Sequence, residues 1–372
     1  MPDAAVEESH RTKGLLRLTM ACNERCPFCN VPAEDYERPT PQWADVEAEL
    51  RTFVETGSRT LTISGGEPTL LRKRLLRLVA QARAEGIPFV ELQTNAVLID
   101  EAYAAALAEA GLTSAFVSLL SDQPRLHDAL AGLPGAFPRC LAGIDALLSQ
   151  GIRVTLNPVT ARSTQARVAH FVRFVATRLP GVSAISLSAV QPHGRAGRNG
   201  AEDDLLPDYA VLASIIPAAQ AEARAAGIEL LNPYCGLPLC VGWTEDAARS
   251  VEAVEAAAGG WRLTPGVENT GDKTHGAPCR RCALRTRCGG AWQAYWQVRG
   301  GAGLAAPIAT CPPWEGRGDA RAQTIVEAPN GPEQRHWTAL RAARPPPVWR
   351  HTRTLGTGDA LRLARSGCTD EA

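Results

Sequence analysis

Between residues 15 and 227, short runs of β-branched and large apolar residues alternate with longer stretches whose apolar residues recur every three or four positions. The runs are LLRLTM (15 to 20), TLTIS (60 to 64), FVELQT (89 to 94), AFVSLL (115 to 120), IRVTLN (152 to 157) and AISLSAV (184 to 190). Their density in side chains that fit a pleated surface predicts six strands. Between them, WADVEAELRTFVETG, LLRKRLLRLVAQARAEG, EAYAAALAEAG, RCLAGIDALLSQG and QARVAHFVRFVATRLPG carry the spacing of amphipathic helices. Several end on Gly, the residue that closes helix C-termini.

Six strand-helix repeats, with a last helix around 208 to 226, imply a parallel sheet with right-handed crossovers. A closed eight-stranded barrel needs two more units, so the expected fold is α/β, a partial (β/α)6 barrel of the TIM type over residues 15 to 227. Chemistry then belongs at the carboxyl ends of the strands. From about 228 the alternation stops: NPYCGLPLCVGW, a helical EDAARSVEAVEAAAGG and a cysteine-rich stretch read as a small second module ending near 314. Residues 1 to 14 form a polar extension, and the Arg- and Pro-rich tail from 315 to 372 reads as weakly ordered, with no function assigned to it.

The chain has 372 residues, 45% hydrophobic, enough for one large core plus an appended module. Lys+Arg and Asp+Glu balance at 39 each, so no basic field draws it to nucleic acid or anionic lipid. The N-terminus lacks the apolar segment of a signal peptide, and no run is long enough to span a bilayer. The expected location is cytosolic. There, 11 cysteines point to metal or redox chemistry rather than to disulfides.

CNERCPFC, residues 22 to 29, follows the first strand directly. A structural zinc site wants four protein ligands, and no further His or Cys follows closely. Three thiolates on Cys22, Cys26 and Cys29 suit a four-iron four-sulfur cluster whose last iron stays open to another ligand. The octapeptide resembles the CxxxCxφC signature of the radical S-adenosylmethionine (SAM) enzymes, with Phe28 at the aromatic position. A second stretch, SGGEPTL after strand two, resembles that superfamily's GGEP motif. The resemblance implies that Gly65, Gly66, Glu67 and Pro68 hold the methionyl end of SAM, since glycines let backbone approach a ligand and a carboxylate complements an ammonium. Asn95, Ser118 and Asn157, near the ends of strands three, four and five, are candidates to bond its ribose or carboxylate. Each also suits the plainer role of capping a strand or turn. The resemblance further implies one-electron cleavage of SAM, a 5′-deoxyadenosyl radical that takes a hydrogen atom from substrate, and a reducing partner of the flavodoxin or ferredoxin type. A dry pocket with a covering module is then expected.

Residues 279 to 290 read CRRCALRTRCGG, placing Cys279, Cys282 and Cys288 at x2 and x5 spacing, with Cys311 after them and Cys235 and Cys240 before. A zinc ribbon would use two CxxC pairs, and only one is present. The stretch resembles the SPASM or shortened twitch domain of some radical SAM enzymes, which implies one auxiliary 4Fe-4S cluster on Cys279, Cys282 and Cys288, with Cys311 or Cys240 as fourth ligand. Trp292 stands where the full domain has a further cysteine. Cys235 is an ordinary thiol, a ligand or a hydrogen-atom donor. Cys140 reads as core packing, and Cys368 has no partner in the pattern. His127 and His193, after strands four and six, are candidates for substrate contact or proton transfer. The aromatic run WQAYWQ (292 to 297) reads as packing.

For substrate, the resemblance implies a ribosomally made peptide first, and a sugar or aminocyclitol as the small-molecule alternative. With the first cysteine at 22, no leader-binding domain is expected ahead of the barrel. A peptide would then need a separate recognition protein or be short. An iron-sulfur electron carrier or zinc-stabilised binding module is the reading of another class.

Overall fold

The computed structural model describes residues 13–55, 57, 59–198, 202–233, 236–257, 273–305 and 307. Strand β1, Lys13–Thr19, leads into helix α1, Trp43–Glu55; β2, Thr60–Gly65, into α2, Arg72–Ala84; and β3, Phe89–Thr94, into α3, Glu101–Glu109. Next come β4, Ser114–Val117, α4, Pro124–Ala131, and α5, Ala136–Ser149; then β5, Arg153–Leu156, α6, Val168–Arg178, β6, Ala184–Ser186, α7, Tyr209–Ala225, and β7, Glu229–Leu231. The strands form one sheet in chain order β1 to β7, every pair parallel.

The six expected strands all form, and the sheet has one more. β7 pairs with β6 in the register Ala184↔Glu229 to Ser186↔Leu231. Three residues are too few to show a period, and the strand owes its existence to α7, which returns the chain to the sheet edge. The parallel alternation therefore runs past residue 227.

Each strand has two unlike faces, because successive side chains point opposite ways. Leu16, Leu18, Leu61, Ile63, Val90, Leu92, Val117, Leu156 and Ile185 join the helices in one apolar core. In α1 the residues that reach it are Val46, Leu50 and Phe53, spaced by four and three. Each such Leu or Phe contributes about 2 kcal/mol through burial. The opposite face is polar. The register sets Ser64, Gln93, Phe116, Thr155 and Ala184 in one row, and Thr62, Glu91 and Ser114 in the row beneath. Thr155 is fully buried and Glu91 nearly so. Burial of a polar face fits a sheet curled around it, as in a partial barrel.

After β7 come a short helix α8, Val251–Ala257, the strand pair β8 (Lys273–Thr274) and β9 (Ala291–Trp292), which is antiparallel, and helix α9, Gln293–Arg299. This part is fastened to α7 by Tyr295, whose ring stacks on Tyr209 at 3.6 Å. Its hydroxyl accepts from Tyr209 N at 3.1 Å and donates to Ala302 O at 2.8 Å. Lys273 and Glu252, both buried, pair at 2.6 Å. Among the described residues no helix is long and apolar enough to cross a membrane.

Candidate functional site

The loop carrying Cys22, Cys26 and Cys29 starts three residues past the end of β1, at the carboxyl edge of the sheet. It is docked on the C-terminus of α4, where Arg25 N donates to Ala131 O at 2.8 Å. Glu24 N lies 3.4 Å from Cys22 Sγ and donates to it, an N–H···S contact of the kind that tunes cluster thiolates. Burial pushes Cys22 up to about 12, and Cys26 and Cys29 upward as well; neighbouring thiols raise Cys22 and Cys26 further. Such thiols ionise when a cation replaces the proton.

The SGGEPTL loop lies directly against this one. Gly66 N donates to Thr19 O at 2.6 Å and Glu67 N to Ala21 O at 2.8 Å. Gly65 has φ +143°, and a Cβ there would collide with Thr19 O; one on Gly66 would collide with Ala21 O and lie 2.5 Å from Met20 O. The two glycines thus let the loops touch backbone to backbone, before any ligand is considered. Glu67 is 1% exposed. Its Oε1 accepts from Thr69 N (3.0 Å), Thr69 Oγ1 (2.6 Å) and Thr94 Oγ1 (2.7 Å), and its Oε2 from Asn95 N (2.7 Å). Burial raises its pKa while these bonds lower it. The carboxylate therefore braces its own loop against β3, with lone-pair capacity left only on Oε2. Pro68 opens the short helix Pro68–Leu71 for which Glu67 is the N-cap.

Asn95, Ser118 and Asn157 fall side by side in one row, one step beyond the pairs Thr94↔Val117 and Val117↔Leu156. Asn95 Nδ2 donates to Asn23 Oδ1 at 2.8 Å, tying the row to the cysteine loop, and its Oδ1 accepts from Val97 N at 3.1 Å. The Ser188 hydroxyl donates to Asn157 Oδ1. Ser118 N donates to Thr94 O at 3.0 Å. One row further in, Ser64 Oγ donates to Gln93 Oε1 at 2.5 Å, while Gln93 Nε2 and Thr155 Oγ1 are buried without a partner. Hydrogen-bonding capacity on this polar face is open to a ligand.

A second thiol group surrounds one cavity, lined by Cys240, Cys279, Cys282 and Cys288 together with His275 and Arg285. Leu284 N donates to Cys282 Sγ and Gly290 N to Cys288 Sγ, each at 3.4 Å. Burial pushes Cys240 up to about 12 and Cys288 up to about 11. Among the described residues no three His, Cys, Asp or Glu side chains converge to hold a single metal ion. Cys235, Cys311 and Cys368 lie outside the described residues.

His127 is not on a loop. Pro124 starts a helix that Gly132 ends, and the ring is buried on it, Nδ1 accepting from Leu120 N at 3.2 Å and the face meeting Phe137 edge-on at 5.5 Å. Burial lowers its pKa to about 4, so it is neutral at pH 7. His193 contacts Trp292 edge-on at 5.4 Å. Phe28 packs at the border of the core, and Cys140 is buried in it. In the aromatic run, Tyr295 serves α7 and Trp296 Nε1 donates to Thr274 O at 3.0 Å. Sequence reading passed over Glu24, buried within the first loop and accepting from Cys26 Sγ at 3.5 Å, and Arg195, which bonds Cys26 O at 3.0 Å. No local pattern marks either.

The site thus joins a three-thiol loop at the carboxyl end of β1 to a Gly-Gly loop at the end of β2, on one edge of a parallel α/β sheet. Residues 16–175 match the model of the Radical SAM superfamily. Among relatives, an AdoMet-dependent heme synthase of Oleidesulfovibrio alaskensis is 29% identical over 52% of this chain and 49% of its own. A PqqA peptide cyclase of Gluconobacter oxydans is 31% identical over 58% and 59%. The chain thus spans about half the length of the curated relatives it matches. A solved structure of tagged anSMEcpe with bound AdoMet covers 68% of this chain and 66% of its own, at 14% identity and a TM-score of 0.50; that likeness is one of fold.

Proposed function

We propose that the chain cleaves SAM reductively and removes a hydrogen atom from a peptide, as a radical SAM oxidoreductase or maturase. The observation that carries this is the backbone-to-backbone joint between the loop of Cys22, Cys26 and Cys29 and that of Gly65 and Gly66. It brings three thiols, a buried carboxylate and the row Asn95, Ser118 and Asn157 to one edge of the sheet. A cluster held there would supply the one-electron chemistry that cleaves SAM reductively. This chain's residues would do the rest: Cys22, Cys26 and Cys29 would hold the cluster, Gly65, Gly66, Glu67 and Pro68 would hold the methionyl end of SAM, and the row Asn95, Ser118 and Asn157 would bond its ribose or carboxylate.

Cys240, Cys279, Cys282 and Cys288 hold one auxiliary 4Fe-4S cluster in a SPASM- or twitch-like module. Cys240 shares one cavity with the other three, which supports it as fourth ligand, while Cys311, the other candidate, lies outside the described residues. The peptide reading draws support from the PqqA peptide cyclase relative. A heme synthase at similar identity supports the second reading, radical chemistry on a small molecule. A flavodoxin or ferredoxin serves as reductant.

Anaerobic reconstitution tests the whole. About eight irons per chain, with methionine and 5′-deoxyadenosine released on reduction in the presence of SAM, is the expected result. Zinc in place of iron, or iron without SAM cleavage, overturns it in favour of a binding module or an electron carrier.

A further inference from the structure

We propose that Arg195 is a positioning residue for the first cluster: it fixes two of the three ligand residues by their carbonyls and sets how tightly the loop retains iron. The proposal rests on the reading that Cys22, Cys26 and Cys29 bind a cluster, and adds a residue outside both motifs. Arg195 lies in PHGRAG after β6, more than 160 positions from the loop it serves. Its Nη1 donates to Cys26 O at 3.0 Å, and its backbone N to Cys29 O at 2.9 Å. Nε and Nη2 meet Glu34 Oε1 and Oε2 at 2.6 and 2.7 Å.

Three features separate this from an ordinary surface ion pair. The guanidinium uses its carboxylate fork and its remaining face at once, which a lysine ammonium cannot do in this geometry. The Arg195 side chain is 19% exposed, against 43% for the neighbouring Arg198, whose partner is Asp35, and exposed pairs contribute little. Finally, the backbones touch: Gly194 has φ +56°, and a Cβ there would collide with Cys29 O and lie 2.6 Å from Asn30 Cα. Direct contact of the loop 194–195 with residues 26–30 leaves the cysteine backbone little freedom to drift. A fixed positive charge beside a thiolate-bound cluster also favours its more reduced, more negative form.

The test compares wild-type full-length chain, reconstituted anaerobically, with Arg195→Gln and Arg195→Lys. Arg178→Gln, which breaks the distant Arg178–Asp145 pair, is the control. Iron loss to a chelator and the midpoint potential of the EPR signal that shifts on adding SAM are read. Only a site with a free iron gives that shift. Outer-shell partners of metal ligands are worth about 10- to 100-fold in affinity, so Arg195→Gln is expected to lose iron about tenfold faster and to show a more negative midpoint. Arg195→Lys should fall between, and Arg178→Gln should match wild type. Should Arg195→Gln fail to fold, Glu34→Gln, which frees the fork but keeps the arginine, must still hasten iron loss severalfold. Wild-type retention and midpoint in these variants overturn the positioning role alone; a wild-type chain that takes up no cluster overturns the reading beneath it as well.

Discussion

Substituting Glu67→Gln separates a brace from a ligand contact, because the structure states what the carboxylate does without SAM. Four donors reach it, at 2.6 to 3.0 Å. A glutamine offers one carbonyl oxygen and one NH2. If the NH2 takes the place of Oε2, it faces Asn95 N–H and leaves two buried donors opposed, at a cost of about 1–3 kcal/mol. If it takes the place of Oε1, Thr69 N–H is opposed instead, although both hydroxyls can turn to accept. Loss of the charge weakens every remaining bond, while relief of the buried carboxylate, whose pKa burial raises, offsets part of this. The net expectation is a loss of about 2–4 kcal/mol in unfolding free energy. Urea unfolding followed by circular dichroism measures it, and SAM binding to the reconstituted chain is measured alongside. A change under about 0.5 kcal/mol together with a tenfold or greater loss of SAM affinity would refute the brace and make Glu67 first of all a cofactor contact.

Gly66→Ala puts a Cβ against the carbonyls of Met20 and Ala21, which as backbone cannot swing aside; iron content after reconstitution should fall at the first site while the second stays filled. Lys273→Met strands the buried Glu252 carboxylate, which also accepts from Gly289 N at 2.9 Å beside Cys288. A loss of about 3–5 kcal/mol by denaturant unfolding, with auxiliary iron lost before first-site iron, is expected. Burial holds Glu49, on α1, up at about 7 against an ordinary 4.5. The folded chain then binds this proton more tightly than the unfolded one, so the group erodes stability as pH rises from 4.5 through 7. Glu49→Gln should be the more stable form at about pH 8, by about 1–3 kcal/mol, and equal to wild type near about pH 4; urea unfolding at the two values checks this.

Strands were legible where five or more residues dense in apolar and β-branched side chains stood between turn residues, as in TLTIS and FVELQT. β7 escaped because Glu229, Leu230 and Leu231 hold too few positions to show alternation, and cysteines follow so soon that the segment reads as another module. The first site was legible as local spacing, Cys22 to Cys29 and Gly65 to Pro68, because both motifs sit on single loops. The row of Asn95, Ser118 and Asn157 was visible only as three strand ends; their adjacency is a matter of register, which one sequence does not display. Arg195, Glu24 and the pair Glu252 and Lys273 were not legible at all. Each acts through a partner fixed by folding, and a charged residue in a loop looks the same in sequence whether it braces a metal loop or points to water. His127 shows the converse, a residue whose place after a strand suggested substrate contact or proton transfer and whose helix then buried it.

The two faces of β2 to β6 divide labour by parity. Positions such as Leu61, Ile63, Val90 and Leu92 hold the molecule together, and the intervening Thr62, Ser64, Glu91, Gln93 and Thr155 contribute little to that adhesion. A scaffold organised so can vary one set of alternate strand positions while the apolar set that packs the helices is kept.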